Sequence, residues 1–166
     1  MSREPTATTR AVIVAAYTVV FYGALPALLW VVASWLDGLL DWSWRPWLWA
    51  WGLVIAGVLL HLVAVSTLWW KGGGPPITAL PPPRFTTGGL YRLVRHPIYF
   101  SYNLLLPAFG LLLGSPSLTL WVTAAFAPCW MIYGSIEERF LLRRFGDAYA
   151  AYQRSVGLLP GLFKRR

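Results

Sequence analysis

The chain has 166 residues, 57% hydrophobic and 12% charged, with a formal net charge of +8 at pH 7 and a mean hydropathy of +0.55. Soluble domains carry about 25% charged residues and disordered chains are poor in apolar ones, so both classes are excluded. What remains is one integral membrane domain over residues 1–166, whose 11 Trp suit the membrane–water interface. The positive charge does not call for nucleic acid, because the basic residues flank apolar stretches. Cys129, the lone cysteine, lies inside an apolar run and excludes an intrachain disulfide framework.

The first apolar stretch, about 11–36, would run roughly 39 Å as a helix, enough to cross ~30 Å of hydrocarbon with tilt. It exceeds a signal-peptide core and lacks a small-residue cleavage site, which makes it a retained anchor. Pro26 predicts a kink within it. The second stretch, about 47–70, opens after Arg45-Pro46. A Gly/Pro-rich loop over 71–90 follows, which cannot be helical. It is either a linker or, by its length, a binding loop or lid. The third and fourth stretches, about 97–113 and 117–136, are joined by Gly114-Ser115-Pro116, with Ser115 as N-cap and Pro116 at the first helical position.

After Ile136 the pattern becomes amphipathic. Phe140, Leu141, Phe145, Tyr149, Tyr152 and Val156 recur at helical spacing, with Arg139, Arg143, Arg144 and Arg154 between them. Gly146 followed by Asp147 reads as a C-cap and a new N-cap, which predicts two short interfacial helices over about 137–156. The expectation is an all-α polytopic membrane protein with about four transmembrane helices, a cytoplasmic Gly/Pro-rich loop and a C-terminal amphipathic helical segment. With four spans, one side holds 13 of the 14 Lys and Arg, all but Arg45, and so both termini are expected in the cytoplasm. The opposite loop carries Asp37, Asp41, Trp42, Trp44 and Trp47.

Two charge clusters stand at the ends of the last two spans. Arg95 and His96 precede Pro97, which starts a helix, so they lie beside backbone N–H groups without helical partners. They read either as lipid-facing flanks or as a site for a carboxylate or phosphate. Tyr99 follows one turn into the same helix. Glu137 and Glu138 repel one another at what the pattern makes a helix C-terminus, where the dipole is already negative. They read as a structural ion pair with Arg139, Arg143 or Arg92, or as a carboxylate pair for a cationic ligand group. A rise of roughly 25 Å and a return of roughly 30 Å bring both clusters to one face. A ligand with an amino-acid moiety fits there, its carboxylate on Arg95 and its ammonium on Glu137 or Glu138.

The run Gly89-Leu-Tyr91-Arg92-Leu-Val-Arg95-His96-Pro97-Ile-Tyr99 comes first in this half. Glu137-Glu138, Leu141, Phe145-Gly146, Tyr149, Tyr152, Val156 and Pro160 then follow. In that order they resemble the isoprenylcysteine carboxyl methyltransferase and phospholipid N-methyltransferase superfamily of integral membrane enzymes. The resemblance covers roughly the C-terminal half. It implies S-adenosylmethionine bound at the cytoplasmic face, with contacts on Tyr91, Arg95, His96, Pro97, Tyr99, Glu137 and Glu138. It assigns no catalytic residue and no metal. Ser101 stands where the family often has Gly. The implied reaction is methyl transfer to a lipophilic acceptor, an isoprenylcysteine-like carboxylate, a thiol or a lipid amine, in a bacterial inner membrane. The implied partners are the bilayer and a lipophilic or lipidated substrate.

Tyr99, Tyr102 and Tyr133 offer ring faces to a sulfonium. Trp69, Trp70 and Phe85 are candidates to line a lateral portal. His61, mid-membrane, marks a substrate path or is a neutral imidazole bonded to a neighbour such as Asn103. Two other readings stand beside this one. A membrane reductase of the sterol-reductase type would use NADPH, with Arg92, Arg143 and Arg144 for the 2′-phosphate. A small non-enzymatic membrane subunit would use the charges structurally.

Overall fold

The computed structural model describes residues 6–40, 47–75 and 82–158, and every element among them is helical. Asp41, Trp42, Trp44, Arg45 and Pro160, and the 76–81 part of the Gly/Pro-rich loop, lie outside the described residues. The first apolar stretch is α1 (Ala7–Val19), a π-helical turn (Val20–Ala24) and α2 (Leu25–Leu40). The Thr6 side chain caps α1 by accepting the Thr9 N–H at 3.2 Å. The π turn falls just before Pro26, which has no N–H for the carbonyl four residues back. The Leu25 N–H reaches Val20 O instead, one residue further than in an α-helix. The discontinuity expected at Pro26 therefore takes the form of a widened turn.

α3 (Trp47–Thr67) is apolar on all faces and continues through a π-helical turn (Leu68–Gly72) to Gly73, whose φ of 81° ends it. A 3-10 turn (Gly89–Arg92) leads into α4 (Pro97–Leu113). A third π-helical turn (Leu118–Val122) opens α5 (Thr123–Ser155). Three helical runs, Ala7–Leu40, Leu48–Gly72 and Leu118–Ser155, are long and apolar enough to cross a membrane, and Pro97–Leu113 is a shorter apolar helix. At 17 residues α4 lies at the short end of what spans a bilayer. The chain is an all-α, multi-pass membrane protein.

The α4–α5 hairpin forms where the Gly114-Ser115-Pro116 turn predicts it. Gly114 adopts φ 67°, and the Ser115 N–H reaches back to Gly110 O at 2.8 Å, so the last turn of α4 closes on itself. Ser115 Oγ then accepts the Leu118 N–H at 3.1 Å. Gly110 permits this closure, because a Cβ there would stand 2.6 Å from the Thr119 backbone nitrogen. Asp37 of α2 accepts the Ser117 N–H at 2.8 Å, placing a carboxylate on the positive end of the fourth span.

One boundary differs from expectation. No break separates the fourth span from the amphipathic segment at residue 136, and Glu137 and Glu138 lie within continuous helix. The apolar spacing carries on through Phe140 and Leu141 into the C-terminal cluster, so the helix retains a buried face past the charged pair. The interruption comes at Gly146 (φ 53°, ψ −129°), a conformation that needs glycine. There the chain folds back as the Gly146-Asp147 pair predicts. Tyr149, Tyr152 and Val156 then form a buried cluster with Phe85, Leu141, Leu142 and Phe145. The Tyr152 hydroxyl donates to Tyr91 O at 2.7 Å and the Arg95 N–H to Gly157 O at 3.1 Å, fastening this segment over the start of α4.

Candidate functional site

Pro97 fixes the first turn of α4, and His96 precedes it with a non-helical backbone (φ −122°, ψ 67°), so the chain changes direction just before the helix. The two charge clusters meet there. Glu138 Oε1 accepts from His96 Nε2 at 3.1 Å, while its Oε2 accepts from Arg95 Nη1 at 3.2 Å and from Gln153 Nε2 at 2.8 Å. Glu137 Oε2 accepts the Tyr99 hydroxyl at 2.8 Å and lies 3.6 Å from His96 Nδ1. The buried His96 ring thus sits between two carboxylates that diverge from neighbouring positions on α5. Gly134, one turn earlier, keeps this surface open: a Cβ there would already touch the ring at 3.4 Å. The His96 and Tyr99 rings stack at 5.3 Å.

Among the described residues the Glu pair bonds to Arg95, His96, Tyr99 and Gln153, and no bond joins it to Arg92, Arg139 or Arg143, the ion-pair partners that the sequence suggests. Because the helix runs on, the pair also escapes the C-terminal dipole expected to act on it. Gln153 has no local sequence signal. Its reach to Glu138 depends on the fold-back at Gly146. Glu138 lies beyond the apolar part of α5. Its burial would raise the carboxyl, but the His96 hydrogen bond and the Arg95 charge outweigh that and hold it below the usual range. Burial pushes the Tyr91, Tyr149 and Tyr152 phenols well above their ordinary value, and they stay protonated.

Two cavities meet at this point. The first, about 120 Å³, is lined by Tyr91, Arg95, His96, Pro97, Tyr99 and Glu137, with Arg84, Phe85 and Thr86 of the Gly/Pro-rich loop opposite. Glu138, the seventh residue expected to contact a ligand, stands behind this wall, facing Arg95, His96 and Gln153. Arg95 Nε is buried and has no hydrogen-bond partner among the described residues. The second cavity, about 520 Å³, lies between the α1–α2 run, α4 and α5, and its lining is apolar and aromatic. Ile98 and Tyr99 belong to both walls.

Tyr102 and Tyr133 line the apolar cavity, and so does Trp69, one of the three portal candidates. Two portal candidates do not. Trp70 follows Trp69 by one helical position, so it points to another side of the helix and is 76% exposed. Phe85 packs on Tyr149 and Tyr152, with centroids at 5.5 and 5.3 Å, and lines the first cavity. His61 is bonded to Tyr22 and Ser101 and not to Asn103, whose amide donates to Tyr99 O at 3.0 Å. Asn103 stands two positions after Ser101, on another face of α4.

The profile of the phospholipid methyltransferase family matches residues 47–148. The chain belongs to that family, within the superfamily of membrane methyltransferases that its motifs resemble. It is 33% identical over 121 residues to a methanethiol S-methyltransferase of Pseudomonas deceptionensis, a match covering 68% of this chain and 42% of that protein. It is 38% identical over 81 residues to methanethiol S-methyltransferase 1 of Bradyrhizobium diazoefficiens, covering 47% of this chain and 26% of that protein. Each match thus takes in less than half of the relative. No solved structure matches the chain.

Proposed function

We propose that the protein transfers a methyl group from S-adenosylmethionine to a small lipophilic thiol, inside a bacterial inner membrane with both termini cytoplasmic. The observation that carries this reading is the shared wall. Tyr99 and Ile98 stand between a smaller cavity whose wall carries charged groups, Arg84, Arg95 and Glu137, and a larger cavity at membrane depth whose lining has no charged residue among those described. Such a pair of cavities suits a polar donor and a lipophilic acceptor that must meet at one point.

The donor set fits the amino-acid end of the cofactor. Arg95 Nε is a buried donor in need of an acceptor and would take the carboxylate. Glu137, in the cavity wall, would take the ammonium, and Glu138 holds Arg95 and His96 in place from behind. Tyr91, His96 and Pro97 complete the wall. When bound, S-adenosylmethionine supplies an electrophilic methyl carbon on a sulfonium. Tyr99, Tyr102 and Tyr133 present rings to that charge, and residues 84–86 close the opposite side against water.

A thiol is favoured over a carboxylate because it can enter the apolar cavity uncharged, and both relatives are named for a thiol. The concentration of 13 of 14 Lys and Arg on one side supports the orientation, and the bacterial relatives support the membrane. A reductase would need Arg92, Arg143 or Arg144 at the cavity, whose arginines are Arg84 and Arg95 instead. The test is calorimetry of the detergent-purified protein, followed by transfer of labelled methyl to ethanethiol. S-adenosylmethionine and S-adenosylhomocysteine are expected to bind. Binding of NADPH with neither of these overturns the assignment.

A further inference from the structure

A chain of three polar side chains crosses the helices beside the apolar cavity, each from a different element. Tyr22, in the first π-helical turn, meets His61 Nε2 of α3 at 2.8 Å. His61 Nδ1 meets Ser101 Oγ of α4 at 2.9 Å, and Ser101 Oγ donates to Ile98 O at 2.6 Å. The direction of the whole chain follows from its last bond. The single Ser101 hydroxyl hydrogen is given to the carbonyl, so Ser101 accepts from His61 and the imidazole hydrogen sits on Nδ1. In the neutral ring Nε2 is then a lone pair, and Tyr22 donates to it. Ser101 is fully buried and His61 nearly so, whereas Tyr22 lines the cavity and is 55% exposed.

Helix-to-helix adhesion alone would account for three satisfied hydrogen bonds in a membrane. It does not account for the placement of the open end. An imidazole lone pair is here connected, through the Tyr22 phenol, to a chamber lined by apolar and aromatic side chains.

We propose that Tyr22, His61 and Ser101 form the proton acceptor for the substrate thiol, with Tyr22 as the catalytic contact and His61 and Ser101 acting through it. This rests on the methyl-transfer reading above. The thiol hydrogen passes to Tyr22 Oη while the Tyr22 hydrogen passes to His61 Nε2, and the ring becomes imidazolium with its Nδ1–H still on Ser101. The freed sulfur electron pair forms the new S–C bond as the carbon–sulfonium bond breaks and its pair returns to that sulfur. The charge lost at the sulfonium reappears on the imidazolium, so the low-dielectric region holds the same charge throughout. The proton leaves afterwards by the reverse path.

The other titratable groups near the ring are limited in kind. Tyr102 packs on it, with centroids 5.2 Å apart, and is itself hydrogen-bonded to Tyr22, while Tyr17, Tyr99, Cys129 and Tyr133 line the rest of the cavity. No Asp, Glu, Lys or Arg is among the described residues of that lining. A rate that rises with pH across the imidazole range, and that the His61→Asn exchange flattens, therefore reports His61.

The test uses the full chain in detergent with S-adenosylmethionine and ethanethiol. Tyr22→Phe and His61→Asn are expected to lower kcat by about 10²-fold or more while leaving calorimetric S-adenosylmethionine affinity within about twofold. Ser101→Ala should impair turnover and Ser101→Thr restore it. In the 15N spectrum of histidine-labelled protein, the signals that vanish in His61→Asn should show Nδ1 protonated and Nε2 bare. Tyr22→Phe removes one oxygen and carries the test if His61→Asn does not fold. Wild-type turnover in Tyr22→Phe, or a proton on Nε2, with S-adenosylmethionine still bound, overturns the relay and leaves the methyl-transfer reading standing. Failure of the wild-type protein to bind S-adenosylmethionine or methylate ethanethiol removes that reading itself, and the relay with it.

Discussion

Tyr99 donates its phenolic hydrogen to Glu137 Oε2 at 2.8 Å, and the same ring forms part of the wall of both cavities. One side chain thus fixes the carboxylate proposed for the donor and borders the chamber proposed for the acceptor. Tyr99→Phe keeps the ring and removes the bond. A hydrogen bond to a charged group is worth about 1.5–3 kcal/mol, and each 1.4 kcal/mol is about tenfold in affinity. Calorimetry should show S-adenosylmethionine affinity falling by about tenfold or more. Unchanged affinity would mean that Glu137 is held without Tyr99.

The neighbouring carboxylates should respond differently to the same exchange. Glu137 lines the cavity, whereas Glu138 accepts from Arg95, His96 and Gln153 and has no place in the cavity wall. Glu137→Gln is expected to cut cofactor affinity at least tenfold with little change in thermal unfolding. Glu138→Gln should destabilise the fold by about 1–3 kcal/mol, because His96 and Arg95 lose a charged acceptor, and should weaken the cofactor only through Arg95. Measuring unfolding temperature and affinity on both variants checks the division. Equal effects on both readouts would dissolve it.

The Glu138 network also sets an acid limit on stability. Its carboxyl titrates lower in the folded protein than in the unfolded chain, because His96 and Arg95 favour the charged form. As pH falls the unfolded chain takes up the proton first, so this stabilisation is complete above about pH 5 and is lost progressively below about pH 4. The wild-type unfolding temperature should drop through that window, and Glu138→Gln should drop less. Parallel curves for the two proteins would show that other carboxylates carry the acid sensitivity.

The sequence makes the hairpin legible because its signals are local. Gly114, Ser115 and Pro116 each demand one position of a helix-to-helix turn, and helix length alone returns the Glu pair to Arg95. The extent of α5 is not legible in this way. A charged pair after an apolar run looks like an end, and only the packing of Leu141 and Phe145 against Tyr149 and Tyr152 shows why the helix continues. The π-helical turns leave no periodic signature. Tyr22, His61 and Ser101 are 39 and 40 residues apart in sequence and meet only because three helices pack together. His61 stands out as a polar residue in an apolar span, but nothing nearby in sequence names its partners.

Cys129 gives independent access to the apolar cavity. It is the lone cysteine of the chain, it is exposed, and it lines the chamber alongside Phe126 and Trp130. A thiol-reactive maleimide can therefore modify one position only, and the adduct would occupy space proposed for the acceptor without touching the Arg95–Glu137 cavity, whose lining does not include Cys129. After modification with N-ethylmaleimide, transfer to ethanethiol should fall by about tenfold or more, while calorimetric S-adenosylmethionine affinity stays unchanged. Cys129→Ala should be active and insensitive to the reagent, which ties the loss to this site. If the modified protein keeps full transfer activity, the acceptor does not use this chamber. If modification abolishes cofactor binding as well, the two cavities do not act as separate compartments.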